Sequence, residues 1–335
     1  MEQATATVNP SLAAPARTRG AASSRNLPVN LFASVMGLAG LALAWRLAHR
    51  SFGARAWIAE AFGALAVAVF VLLAIGYLVK FVRHRDAVLE EFRHPIAGNF
   101  FGTIVIAILL LSAVVAPYSE ALGRGVWTAG VVATFALSFV AIGRLLEGQV
   151  NAAHAVPAWL IPGVATLDIP VTGAHMPMAW AAEVNLAALA VGAVLALVLF
   201  ALIVGRLVHQ APMAQGMRPS LVVLVAPFAV GHLAYTNVFG GVDGFSALLF
   251  YFGLFVFLVV APKVFRRDTP FSPGWWAVSF PMAALTNAAL KYAAARGSMA
   301  LTAIAIALLG FLTLAIAVLA WRTARIALNG RLLSA

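Results

Sequence analysis

Gly274-Trp275-Trp276-Ala277-Val278-Ser279-Phe280-Pro281-Met282-Ala283-Ala284-Leu285-Thr286-Asn287 decides how the chain is read. It reads as part of a membrane-spanning helix, yet Pro281 stands inside it and has no N–H to give the carbonyl of Ala277. An unpaired carbonyl is costly in hydrocarbon, so irregular backbone persists at membrane depth only where protein encloses it or where it lines a water-filled path. Phe280, on the break, is therefore a candidate pore residue; the plain alternative is one core phenylalanine among 22.

Outward from that stretch, the chain of 335 residues is 63% hydrophobic and 10% charged, whereas soluble domains are about 45–50% apolar. Apolar windows of about 20 residues, enough to cross a bilayer, recur from end to end. The expectation is an all-α integral membrane protein with one membrane domain, 27–327, between a disordered basic cytoplasmic tail, 1–26, and a cytoplasmic C-terminal tail, 328–335. The net charge of +11 sits in short loops, where topology and anionic membrane lipid account for it, so nucleic acid is not expected as a partner. The chain has no cysteine, which excludes disulfides, thiolate metal sites and thiol redox chemistry. No histidine pair has ligand spacing, and neither a nucleotide-binding glycine loop nor GxSxG occurs. No metal, cofactor or enzyme activity is expected.

Ten spans are read: 27–49, 55–83, 95–117, 120–147, 157–174, 178–208, 218–238, 243–265, 273–294 and 298–327. The termini and even-numbered loops hold sixteen Lys and Arg residues, from Arg17 to Arg331, against six on the opposite face: Arg46, Arg50, Arg55, Arg124, Lys291 and Arg296. By the positive-inside rule both termini are cytoplasmic. Every odd span opens on a proline, at Pro28, Pro95, Pro157, Pro219 and Pro273. That period suits a helical hairpin. The odd spans also carry the internal prolines Pro162, Pro227 and Pro281, and small and polar residues such as Gly37, Gly40, Asn99 and Asn287; the even spans are longer and apolar all round. Odd helices thus read as inner and even helices as lipid-facing. Five hairpins that all start on one side are related by rotation about the membrane normal, which predicts a pseudo-five-fold ring whose inner helices line a central pore.

Several residues carry two readings. Pro162 and Pro227 either share a pore-lining purpose with Pro281 or are packing kinks. Candidate pore neighbours of Phe280 are Phe32 or Met36, Phe100 or Phe101, Leu160 or Pro162, and Pro227 or Phe228. Lys291 either snorkels to water or gives a pore mouth positive potential. His232 either relays protons or is a satisfied interior histidine. Asp168 and His232 are the titratable groups that proton-coupled transport would need.

The order of several short motifs resembles the tellurite-resistance/dicarboxylate transporter family, which includes the slow-type anion channels of plant guard cells. They are Leu27-Pro28 with Met36-Gly37-Leu38-Ala39-Gly40 and Trp45, Glu91-Phe92-Arg93-His94-Pro95, Pro157-Ala158-Trp159-Leu160-Ile161-Pro162, Leu224-Val225-Ala226-Pro227 and Trp275 to Pro281. The resemblance implies a homotrimer with a pore in each subunit, small inorganic or organic anions as cargo, and an aromatic gate at the position of Phe280. It leaves two functions open: an anion channel in a bacterial inner membrane, or a proton-coupled exporter of dicarboxylate, sulfite or tellurite-type oxyanions.

Overall fold

A computed structural model describes residues 23–148, 151–266 and 268–333. Of the expected tails, 1–22 and 334–335 lie outside the described residues. The end of the N-terminal tail is folded, contrary to its expected disorder: Ser24–Asn26 form a 3-10 turn. The Ser23 N–H and the Asn26 side-chain amide both donate to the Leu333 carbonyl, at 3.2 and 3.0 Å, which ties this turn to the other end of the chain.

The described residues contain eleven α-helices and no strand: α1 Phe32–Phe52, α2 Ala56–Arg83, α3 Arg85–Arg93, α4 Gly102–Val115, α5 Glu120–Leu146, α6 Leu160–Gly173, α7 Ala181–His209, α8 Ala226–Val238, α9 Gly244–Val264, α10 Ser279–Arg296 and α11 Met299–Leu328. Eight elements are long and apolar enough to cross a membrane. The helices at the fifth and ninth expected spans are not among them: α6 has 14 residues and α10, with 18, carries Lys291 and Arg296. Between the second and third spans, short amphipathic α3 occupies what reads in the sequence as a loop.

Burial separates two classes of helix. Of the apolar centre of 29–52, 78% is buried, against 17% for 56–83. The centre of 215–238 is likewise mostly buried, while α5, α7, α9 and α11 are mostly exposed. Helix pairs α1/α2, α4/α5, α6/α7, α8/α9 and α10/α11 pack as consecutive hairpins. The more buried member of each pair also packs on its counterparts, α1 on α4, α4 on α6, α6 on α8, α8 on α10 and α10 on α1.

In lipid the hydrophobic effect does not drive helices together, so close packing must. Gly40 shows how: a Cβ there would stand 2.7 Å from the Cβ of Ala283, so only a glycine lets α1 approach α10 this closely. Gly37 makes the same allowance for Ser279, whose hydroxyl lies 3.2 Å from the Ala33 carbonyl and bonds the two helices.

All five buried helices begin the same way. A 3-10 segment precedes each α-helix: Val29–Leu31, Ala97–Phe101, Pro157–Trp159, Gln215–Val225 and Pro273–Val278. This changes the reading of the internal prolines. Pro281, Pro162 and Pro227 do not break the middle of an α-helix; they fall at its third, third and second residues. There the proline's missing N–H is among those that an α-helix leaves unpaired anyway. Hydroxyls cover carbonyls at these junctions, Ser34 to Leu31, Thr103 to Phe100 and Ser279 to Trp276, each at 2.6–2.7 Å. The proline that does sit within a buried α-helix is Pro170, in α6.

Candidate functional site

The five 3-10 to α junctions converge on one small cavity of about 30 Å³. Its walls are Ala33 and Met36 from α1, Phe100, Thr103 and Ile106 from the third span, and Ile161 and Val164 from α6. Val223 and Ala226 from the seventh span, and Trp276, Ala277, Phe280 and Pro281 from the ninth, complete it. Phe280 is 7% exposed. The lining is apolar in effect, because the two polar side chains are engaged elsewhere. The Thr103 hydroxyl donates to the Phe100 carbonyl at 2.6 Å, and the Trp276 indole N–H to Thr323 at 2.9 Å. A volume of this size holds on the order of one or two water molecules.

A larger cavity of about 540 Å³ opens at the N-terminal ends of the same five segments. Phe100 and Ala277 line both spaces, so the vestibule abuts the constriction. Its polar wall includes Asn30, Glu91, His94 and Ser220. Glu91 is fixed from three directions: it accepts from the Val29 N–H at 2.9 Å, the Tyr77 hydroxyl at 2.9 Å and the Lys80 ammonium at 2.6 Å. Lys80, buried, also donates to the Leu27 carbonyl at 2.8 Å. The Glu91 carboxylate, with Lys80, thereby fastens α2 and α3 to the entrance of the first span.

Of the sequence candidates, Phe280, Pro281, Phe100 and Met36 meet at the constriction. The others point elsewhere. Phe32 packs edge-on against Phe70 and Tyr77 of α2, and Phe101 against Tyr77 and Phe92. Pro227 and Phe228 line a separate groove between α7, α8 and α9, and Phe228 packs edge-on against Phe200 and Phe252. Leu160 is fully buried, and the Pro162 carbonyl accepts from Ser138 of α5 at 2.9 Å. Residues one helical step away, Ile161 and Val164, Val223 and Ala226, supply the lining instead. No sequence signal separates them from their neighbours, because which residue faces the cavity depends on each helix's rotation about its axis.

Beyond the constriction, away from the vestibule, the same helix faces turn polar. Asp168 follows Ile161 and Val164 at helical spacing, is buried, and has one carboxyl oxygen without a hydrogen-bond partner. On α10 the face of Phe280 continues through Ala284 and Asn287 to Lys291. Asn287 donates to the Gly40 carbonyl at 3.0 Å and Lys291 to the Asn237 side-chain oxygen at 2.5 Å. His232 points toward α9: its Nδ1–H donates to the Ser246 carbonyl at 2.8 Å and its ring packs beside Phe250 and Tyr292, leaving Nε2 unpartnered. Among the described residues no group of three or more His, Cys, Asp or Glu side chains is placed to hold a metal ion.

A multi-pass helical membrane protein with an enclosed apolar constriction flanked by a vestibule belongs with channels and transporters. Sequence comparison gives the group. Residues 26–324 match the SLAC1 family, described as voltage-dependent anion channel, and the chain belongs to that family. It is 26% identical over 275 residues to the S-type anion channel SLAH3 of Arabidopsis thaliana, covering 79% of this chain and 43% of that one. It is 24% identical over 279 residues to a tellurite resistance protein TehA homolog of Haemophilus influenzae, covering 79% and 81%. An uncharacterized transporter of Methanocaldococcus jannaschii is 23% identical over 283 residues, 78% of this chain and 82% of that one.

Proposed function

We propose that the protein is an anion channel, or a channel-like facilitator, whose path follows the axis of a pseudo-five-fold ring of inner helices and is held shut by Phe280. The observation that carries this is the constriction itself, to which all five proline-led segments contribute side chains, Phe280 among them. The cyclic packing of α1, α4, α6, α8 and α10 supports the ring, and with it the count of ten spans in five hairpins. A dry apolar neck excludes a hydrated ion, and moving one ring aside wets it. The cargo is small inorganic or organic anions, by analogy with the S-type anion channel and tellurite resistance relatives. The setting is a bacterial inner membrane, with both termini cytoplasmic, lipid around the exposed helices and three copies assembled together.

The test is planar-bilayer recording of wild type and Phe280→Ala with chloride and nitrate. Phe280→Ala should carry several times the wild-type anion current. Equal currents from equally inserted protein would remove the plug.

One observation favours a proton-coupled exporter of dicarboxylate, sulfite or tellurite-type oxyanions: the unpartnered oxygen of buried Asp168 on the axial face of α6. Loss of pH-driven transport in Asp168→Asn would support that reading; Phe280→Ala currents that follow the anion gradient with no pH dependence would remove it.

A further inference from the structure

Two cations of the spanning helices are balanced by fixed acids, and Lys291 stands in contrast to them. Arg46 pairs with Glu60 at 3.1 Å and Lys80 with Glu91 at 2.6 Å. Lys291 has no carboxylate within 4.0 Å among the described residues. A charge at membrane depth is ordinarily paired or reaches water, because isolating it is expensive. Half-buried Lys291 instead has a neutral partner, the side-chain oxygen of Asn237.

That partner is itself held. The Asn237 amide nitrogen donates to the Pro170 and Val171 carbonyls at 3.1 and 2.9 Å, near the C-terminal end of α6. Both hydrogens are thus engaged, and the oxygen must face the other way, toward the ammonium. One chain of hydrogen bonds therefore runs from α10 through α8 to α6 and keeps the Lys291 head from swinging freely toward the helix end. An ammonium has three N–H donors. One bond to Asn237 leaves two.

The placement matters as much as the pairing. Lys291 lies eleven residues after Phe280 on the same face of α10, about 16 Å further along the helix. Asn237 stands in the same relation to Ala226, a wall of the constriction on α8. We propose that Lys291, positioned by Asn237, is an anion-binding subsite in the half of the passage beyond Phe280, with a small inorganic anion as its counter-charge. The subsite rests on the reading of the helix axis as an anion path. A single fixed positive charge with a neutral anchor draws an anion in and binds it weakly enough to let it leave.

The chain has no cysteine, so Lys291→Cys introduces a single thiol. In the Phe280→Ala background, recorded in planar bilayers with chloride, Lys291→Cys should raise the half-saturating chloride concentration by about tenfold. Aminoethyl methanethiosulfonate, which restores an ammonium, should return it toward the parent value; the sulfonatoethyl reagent should depress the current further. Lys291→Arg should stay near the parent, and Asn237→Leu, which keeps the charge but loosens it, should fall between. If Phe280→Ala conducts but neither Lys291→Cys nor either reagent moves the half-saturation, the subsite is wrong and the axial path stands. If Lys291→Cys does not insert, Asn237→Leu with unchanged half-saturation overturns it equally. A Phe280→Ala protein that carries no chloride removes both.

Discussion

As the proposed plug, Phe280 acts through bulk, so its effect should be graded. Phe280→Leu should give a current between those of wild type and Phe280→Ala, because leucine fills part of the neck; recordings at matched protein density check the order. Lys80 acts through charge. It is 3% exposed and bonded to Glu91 and the Leu27 carbonyl, so Lys80→Met strands the Glu91 carboxylate beside an apolar helix. Removing one partner of such a pair costs about 3–5 kcal/mol. Lys80→Met should lower the apparent melting temperature in detergent sharply, and Lys80→Met with Glu91→Gln should recover part of the loss. Neither effect is visible from residue type alone: Lys80 reads as an ordinary loop cation, and only the fold brings Glu91 and the first span's entrance to it.

Among the elements, the shared 3-10 to α junction explains why prolines cluster where they do. Pro281 occupies the third position of α10, where an N–H has no obligatory partner. Pro281→Ala should therefore change the melting temperature little, within roughly 0.5 kcal/mol, unlike a proline removed from or placed in a helix interior. Gly40 is the opposite case. A methyl there meets Ala283, and overpacking of this kind costs typically about 1–3 kcal/mol. Gly40→Ala should lower thermal stability and, by pushing α10 from α1, alter the neck that Phe280 fills; melting and bilayer recording of the same variant read both.

Across the whole molecule, the two classes of helix set the division of labour. On the proposed reading, the exposed apolar faces of α2, α5, α7, α9 and α11 meet lipid or another copy. The buried set surrounds the constriction. With both termini cytoplasmic, as proposed, the open vestibule faces the cytoplasm. A reporter that is active only in the cytoplasm should therefore function when fused after residue 335, and an export-dependent reporter should stay silent there.

The membrane class and the contrast between buried and exposed helices were legible in the sequence. They follow from hydropathy and spacing, which are local properties. The helices that fall short of a long apolar span, α6 and α10, carry polar and proline residues, Asp168 and Pro170 in one and Lys291 and Arg296 in the other. Choosing Ile161 and Val164 over Pro162, or Val223 and Ala226 over Phe228, depended on how far each helix is rotated toward its neighbours. Rotation is set by packing such as Gly40 on Ala283, between residues 243 positions apart in the chain. The tertiary structure alone also decided the partners of the charged groups. Lys80 and Lys291 look alike in sequence; one is neutralised by Glu91, and the other is left with an amide for its partner because α8 and α6 end where they do.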